Sequence, residues 1–329
     1  MIEPSRAERI LASVNEDRLV ALALDLVGIS SPTGEEQAMG ERMRDVLRSV
    51  GMQVAWQEVE EGRPNVLGTL EGIGGGPSLM FNGHVDTSYS GREPWLAGIR
   101  GFQPEGFLHD GRIYGLGISN MKGALCCYVE AVRALSEAGV RLRVDVVIAA
   151  VAGEIEKTQW GGFRGKQYRG YAAGSRHLVG HGGVADMCIL GEPTEQKVVL
   201  GHFGAVWMRV STHGPFIHTA FSECRLDENS IVRMRDVLDA ILAWVPSWEE
   251  ATVYRDAHGL VNVGAINGGF PWRVSRTPGR TDLFLDARVP PTMPMAEAVR
   301  ELRAVVRDVR ERFPDYGVES EIYVTAPGA

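Results

Sequence analysis

Four short clusters carry most of the side chains able to do chemistry: Asn82-Gly83-His84-Val85-Asp86, Ser119-Asn120-Met121-Lys122-Gly123, Glu154-Ile155-Glu156 and Gly191-Glu192-Pro193-Thr194. Together they offer an imidazole, carboxylates and an amide oxygen, the donor types of a divalent-metal site that activates water. His84 and Glu192 are the candidate ligands, with Asn120 a further oxygen donor. Asp86 follows His84 by two residues, on the same side of an extended chain, where its carboxylate can hydrogen-bond the second imidazole nitrogen and fix the tautomer. Glu154 is the candidate base, because burial beside a metal tunes a carboxylate for proton transfer. Each residue also has an ordinary reading. A lone histidine at a strand end is commonly a surface group, and Asn120 could simply cap a helix. Glu154 and Glu156 could be solvated loop carboxylates, and Glu192 could merely precede the turn set by Pro193.

The elements that must position these groups follow from hydrophobic periodicity. Strands are expected over residues 53–58, 65–70 and 78–82, the last delivering His84 to a sheet edge. A helix over 120–138 carries the stripe Leu125, Val129, Val132 and Leu135, placing Asn120 at its N-terminus. Residues 144–152 and 185–190 read as buried strands that stop at Glu154 and Glu192. Upstream, two helices are expected between Arg6 and Val50, separated by the turn-forming Ser31-Pro32-Thr33-Gly34-Glu35-Glu36. The layout is an α/β sheet with its ligands beyond the strand C-terminal ends.

After Gly201 the pattern changes to strand 205–212, helix 229–245, strands 260–266 and 281–287, helix 295–313 and strand 318–325. That βαββαβ order is ferredoxin-like and makes a second domain over 201–329, leaving 1–200 for the first.

The 329 residues, 44% hydrophobic and 23% charged, suffice for two cores. Thirty-four basic against forty-two acidic side chains give a net charge of -8 without a Lys/Arg block, so a small-molecule partner is expected and a nucleic acid is not. Cys126, Cys127, Cys188 and Cys224 lie in apolar segments without CxxC spacing and read as small core residues in a reducing compartment. No signal-peptide pattern and no bilayer-length apolar run is present, so a cytoplasmic protein that does not enter a membrane is expected.

The clusters resemble the cocatalytic metallopeptidases and deacylases that include acetylornithine deacetylase, succinyl-diaminopimelate desuccinylase, aminoacylase and glutamate carboxypeptidase. The pieces that carry the likeness are the strand into Gly83-His84-Val85-Asp86, then Gly111-Arg112-Ile113-Tyr114-Gly115-Leu116-Gly117 leading to Asn120-Met121-Lys122-Gly123, then Gly191-Glu192-Pro193-Thr194. The resemblance implies a mixed-sheet α/β/α catalytic domain with an inserted ferredoxin-like lid that pairs two chains into a homodimer. It implies metal ligation by His84 and Glu192, orientation of His84 by Asp86 and proton transfer by Glu154. It also implies carbonyl polarisation by a lid histidine, matched by Gly214-Pro215-Phe216-Ile217-His218, and a lid-helix asparagine, matched by Asn229.

Three positions depart from the family pattern. Asn120 stands where an aspartate bridges two metals, and a neutral amide bridges two cations poorly. Ile155 stands where a second acid is expected, and Glu156 reaches that place only if the loop shifts. The family's last histidine ligand lies in a C-terminal stretch, whereas this sequence ends at Pro327-Gly328-Ala329. The departures favour a mononuclear centre held by His84, Glu192 and Asn120, with zinc the family metal and manganese a competitor. Arg273 could fork a substrate carboxylate, Arg276 reads as a solvated strand edge, and Arg164, Lys166 and Arg169 could attract an anion or cover the sheet.

The expected function is hydrolysis of a C–N bond in an N-acyl amino acid or dipeptide-like substrate. Deamination of an aromatic amine at one metal is an alternative chemistry. A catalytically silent or fragmentary homologue acting as a binding protein is the alternative from another class.

Overall fold

The computed structural model describes residues 4–223 and 225–329, so Cys224 lies outside the described residues. The N-terminal helical stretch is three helices rather than two: α1 Pro4–Ala12, α2 Glu16–Val27 and α3 Gln37–Ser49. The extra break is made by Asn15, whose side chain accepts from the Arg18 N–H at 2.9 Å, with Glu16 and Asp17 in the first turn favouring the helix dipole. Met39, Met43 and Leu47 turn inward from α3 and are fully buried.

In chain order there follow β1 Gln53–Glu60, β2 Arg63–Leu70, β3 Leu79–His84, β4 Phe107–His109, β5 Arg112–Tyr114, α4 Gly123–Glu137, β6 Val146–Val151, α5 Ala173–Gly180 and β7 Met187–Leu190. The β4–β5 hairpin was not expected, although its turn, Asp110-Gly111 with φ of 48° and 70°, is a strong hairpin signal. The five-stranded sheet runs β1-β2-β6-β3-β7, antiparallel through β1, β2 and β6 and parallel through β6, β3 and β7. Leu26, Leu125, Val129, Val132 and Ile148 close its core. Because β6, β3 and β7 run in one direction, their C-terminal ends present Glu154, His84 and Glu192 at one edge.

Two expectations are corrected in this unit. Among the described residues β7 is an edge strand paired only with β3, and all four of its residues are exposed rather than buried. Of the cysteines, Cys126 is buried but Cys127 and Cys188 are exposed.

The chain divides into compact units at Lys197 and Val198. The second unit contains β8 Gly204–His213, α6 Ser230–Ala251, the short β9 Val253–Tyr254 and β10 Ala257–His258, β11 Val261–Gly268, β12 Arg280–Val289, α7 Met295–Arg312 and β13 Glu319–Ala326. Its sheet order is β11-β12-β8-β13, all antiparallel, which is the ferredoxin-like arrangement. Helix α6 continues past Pro246, where the sequence predicts a stop, because Trp248 is buried in the unit's core beside Trp244. No helix among the described residues is long and apolar enough to cross a membrane.

Candidate metal centre

His84 is 1% exposed, and both of its ring nitrogens face oxygen. Nδ1 lies 2.9 Å from the backbone carbonyl of Asp86, and Nε2 lies 2.6 Å from Oδ1 of Asn120. Glu192 Oε1 at 3.5 Å and Glu154 Oε2 at 3.7 Å also surround Nε2. Donor atoms of His84, Glu154 and Glu192 all fall within 4.8 Å of one another, and Glu156 is outside this group.

The electrostatics show that this pocket favours a cation. Burial, the largest single influence, opposes protonation of His84, but the bond and charge of Asp86, then Asn120 and Glu154, lift its pKa to about 9. Burial raises both Glu154 and Glu192, with His84 pulling each back down. Among the described residues neither carboxylate has a lysine or arginine within ion-pair distance. An imidazole nitrogen surrounded by two carboxylates and an amide oxygen fits a divalent ion in place of the proton on Nε2.

Asp86 does more than the expectation. Its carboxylate faces Nδ1 at 3.4 Å from Oδ1, and its backbone carbonyl lies closer still, at 2.9 Å. The carboxylate also accepts from the N–H groups of Glu154 at 3.0 Å and Ile155 at 3.1 Å, and from the Thr33 hydroxyl at 2.9 Å. One fully buried residue therefore orients the histidine and fastens the loop that carries the base. His84 and these bonds hold the Asp86 carboxyl below its ordinary range, against the raising effect of burial.

Asn120 is not the cap of α4. The segment Ile118–Lys122 winds irregularly before the helix, Asn120 has extended φ/ψ of −127° and 97°, and its carboxamide oxygen turns to His84. Lys122 fixes this segment. It is 1% exposed and donates from Nζ to the carbonyls of Leu26 at 3.0 Å and Ile29 at 2.7 Å, tying the segment to the end of α2 and the residues just after it. Burial depresses its pKa to about 7.

Beneath the Glu154 loop lies a second buried arrangement that the sequence did not disclose. Arg63 binds Glu36 bidentately at 2.9 and 2.7 Å, both side chains being 0% exposed. Gly153, at φ +65°, passes so close that an added Cβ would stand 2.5 Å from the Arg63 guanidinium, so glycine is required where the chain turns to present Glu154. Lys166 and Arg169 are tied to the β1–β2 turn through the Glu61 carbonyl and the Glu60 carboxylate, which is the sheet-covering role. A cavity of about 320 Å³ adjoins Asn120, lined in part by Tyr89, Phe102, Leu116 and Ile118.

The remaining predicted residues lie in the second unit. His218 opens a short turn, with Nδ1 accepting from the Ala220 N–H at 3.2 Å. Asn229 caps α6, its oxygen accepting from Ile231 N–H at 2.9 Å. Arg273 is exposed on the turn Pro271–Arg273, and Arg276 lies over the Phe216 ring at 5.4 Å.

Comparison with known proteins agrees with this architecture. The chain is 28% identical over 301 residues to acetylornithine deacetylase of Vibrio vulnificus, covering 88% of this chain and 71% of that protein. It is 28% identical over 230 residues to succinyl-diaminopimelate desuccinylase of Gluconacetobacter diazotrophicus, covering 68% of this chain and 56% of that one. The fold matches human carnosine dipeptidase 1 with a TM-score of 0.72 at 15% identity, over 99% of this chain and 81% of the other. An M20 family metallo-carboxypeptidase from Sulfolobus solfataricus gives a TM-score of 0.61 at 14% identity, over 94% and 79%. With the model of Peptidase family M20/M25/M40 matching residues 80–324, the chain belongs to that family of metal-dependent hydrolases of carbon–nitrogen bonds.

Proposed function

We propose that the protein hydrolyses the amide bond of an N-acyl amino acid or dipeptide-like substrate at a centre holding one divalent ion, zinc or manganese. The observation that carries the reading is the convergence of Asn120 Oδ1, Glu192 Oε1 and Glu154 Oε2 on Nε2 of His84. His84, Glu192 and Asn120 would hold the ion. When bound, it supplies Lewis acidity at the scissile carbonyl and makes water nucleophilic at neutral pH.

Glu154 takes the proton from the attacking water and passes it to the leaving amine. Its raised pKa suits both halves of that transfer. His218 accepts a backbone N–H at Nδ1, so its neutral ring carries the proton on Nε2, the tautomer that can donate to an oxyanion. Arg273 and Asn229 are the substrate-binding candidates, Arg273 through a carboxylate of the substrate. The names of the two curated relatives speak for amide cleavage over amine deamination. The reading extends to a cytoplasmic homodimer formed through the exposed edge strand β11, with the exposed thiols of Cys127 and Cys188 suited to a reducing compartment.

Glu154→Gln tests the assignment. Metal content stays intact and turnover of N-acyl amino acids is lost, whereas retained turnover would show that the base is another group.

A further inference from the structure

His84 and Glu192 are each preceded by a glycine, and both glycines lie against α4 or the segment leading into it. An added Cβ on Gly83 would stand 2.8 Å from Met121 Cε and 2.9 Å from Leu125 Cδ2. One on Gly191 would overlap the Tyr128 hydroxyl and stand 2.8 Å from Ala124 Cβ. We propose that Tyr128, through its hydroxyl, is the positioning residue that holds Glu192 against His84 and so sets the metal affinity of the centre. This rests on the hydrolase reading above and adds to it a residue outside the ligand set.

The need for such a tie follows from the strand that carries Glu192. β7 has four residues, all exposed, and its ladder with β3 ends at the pair Asn82 and Leu190. Glu192 lies two residues beyond that last rung and is followed by Pro193, which has no N–H to donate. β3, by contrast, is held between β6 and β7.

The Tyr128 hydroxyl stands where the ladder ends. It donates to the Asn82 carbonyl at 3.2 Å, and the Gly191 backbone packs on the same oxygen. Tyr128 is 6% exposed and its ring stacks on Phe81 at 4.8 Å, so the hydroxyl has a fixed place. Burial pushes its pKa up to about 12, so the proton stays available to Asn82. Ala124 and Tyr128, four residues apart, share the face of α4 that meets Gly191. The helix itself begins three residues after Asn120. One helix therefore spaces all three proposed ligands: Asn120 through its lead-in, His84 through Gly83, and Glu192 through Gly191 and Tyr128.

The test uses the full chain and Tyr128→Phe, which removes one oxygen and keeps the ring that stacks on Phe81. Zinc and manganese affinities are measured by competition with a chelator, amide exchange by NMR, and stability by urea unfolding of the metal-free protein. The affinity should fall about tenfold or more, the size of effect found when a residue that orients a ligand is lost. In the folded metal-free variant the Gly191 and Glu192 amides should exchange faster, with those of Val129 and Val132 unchanged. A lower urea midpoint with unchanged metal affinity would mean that the hydroxyl serves packing alone and would overturn the proposal. Gly191→Ala is the second variant, because its Cβ drives the backbone off the hydroxyl. It should weaken metal binding in the wild-type background and weaken it less beside Tyr128→Phe, whereas losses that simply add would contradict the tie. A wild type that binds no ion overturns the hydrolase reading on its own. Exchange at Gly191 and Glu192 then decides the tie, faster exchange in Tyr128→Phe supporting it and unchanged exchange overturning it.

Discussion

Replacing Asp86 by asparagine should unfasten the loop that carries Glu154 while leaving its own volume almost unchanged. The carboxylate accepts two backbone N–H groups, from Glu154 and Ile155, and the Thr33 hydroxyl. An amide has a single acceptor oxygen, so whichever way it faces, one buried N–H loses its partner, costing about 1–3 kcal/mol. The one or two bonds that remain drop from the charged to the neutral class, about 1 kcal/mol each, for a total of about 2–5 kcal/mol. Urea unfolding of the metal-free protein at pH 7 reads this loss, and faster exchange of the Glu154 and Ile155 amides localises it. Thr33→Val, which removes one bond and neither backbone pairing, should cost about 1–2 kcal/mol and leave those amides protected. The pH dependence has a definite sign. The folded pKa of Asp86 is depressed below 3.8, so its stabilisation is present above that pH and disappears only as pH falls through the lower folded value. The gap between wild type and Asp86→Asn therefore persists at pH 4 and closes in stronger acid. A variant within about 0.5 kcal/mol of wild type, with unchanged exchange at both amides, would refute the reasoning.

Other predictions concern the two buried bases. A metal ligand must be neutral, and His84 is raised to about 9, so apparent metal affinity should climb about tenfold per pH unit up to about 9; a flat profile from pH 7 to 9 in chelator-buffered titrations would contradict this. In the metal-free protein the His84 contribution is full below 6.5 and lost as pH rises through about 9, whereas the cost of burying Lys122, lowered to about 7, is relieved as pH rises from about 7 toward 10.5. The two slopes oppose each other between pH 7 and 9, so Lys122→Met should expose a fall of up to about 1.4 kcal/mol per pH unit that wild type lacks. Denaturant midpoints across that range measure it, and a flat profile in the variant would count against the assignment.

The sequence disclosed what depends on local pattern and missed what depends on pairing at a distance. The apolar runs that end at His84, Glu154 and Glu192 are strands β3, β6 and β7, and their shared direction brings the three side chains together. The βαββαβ order of the second unit was likewise visible in alternating strand and helix periods. Burial was harder to read: β7 has the same composition as a core strand but lies at a sheet edge. Asn120 has the residue type of a helix cap, and only the fold shows its oxygen turned to His84. The Glu36–Arg63 pair joins residues 27 positions apart, and Lys122 reaches carbonyls more than 90 positions away, so neither has a spacing that a local reading could detect.

The most direct test of the central claim is metal content. Protein saturated with zinc or manganese and then dialysed should retain about one ion per chain by elemental analysis, and His84→Ala should retain essentially none. No ion in the wild type, two per chain, or an undiminished content in His84→Ala would contradict a mononuclear centre built on His84.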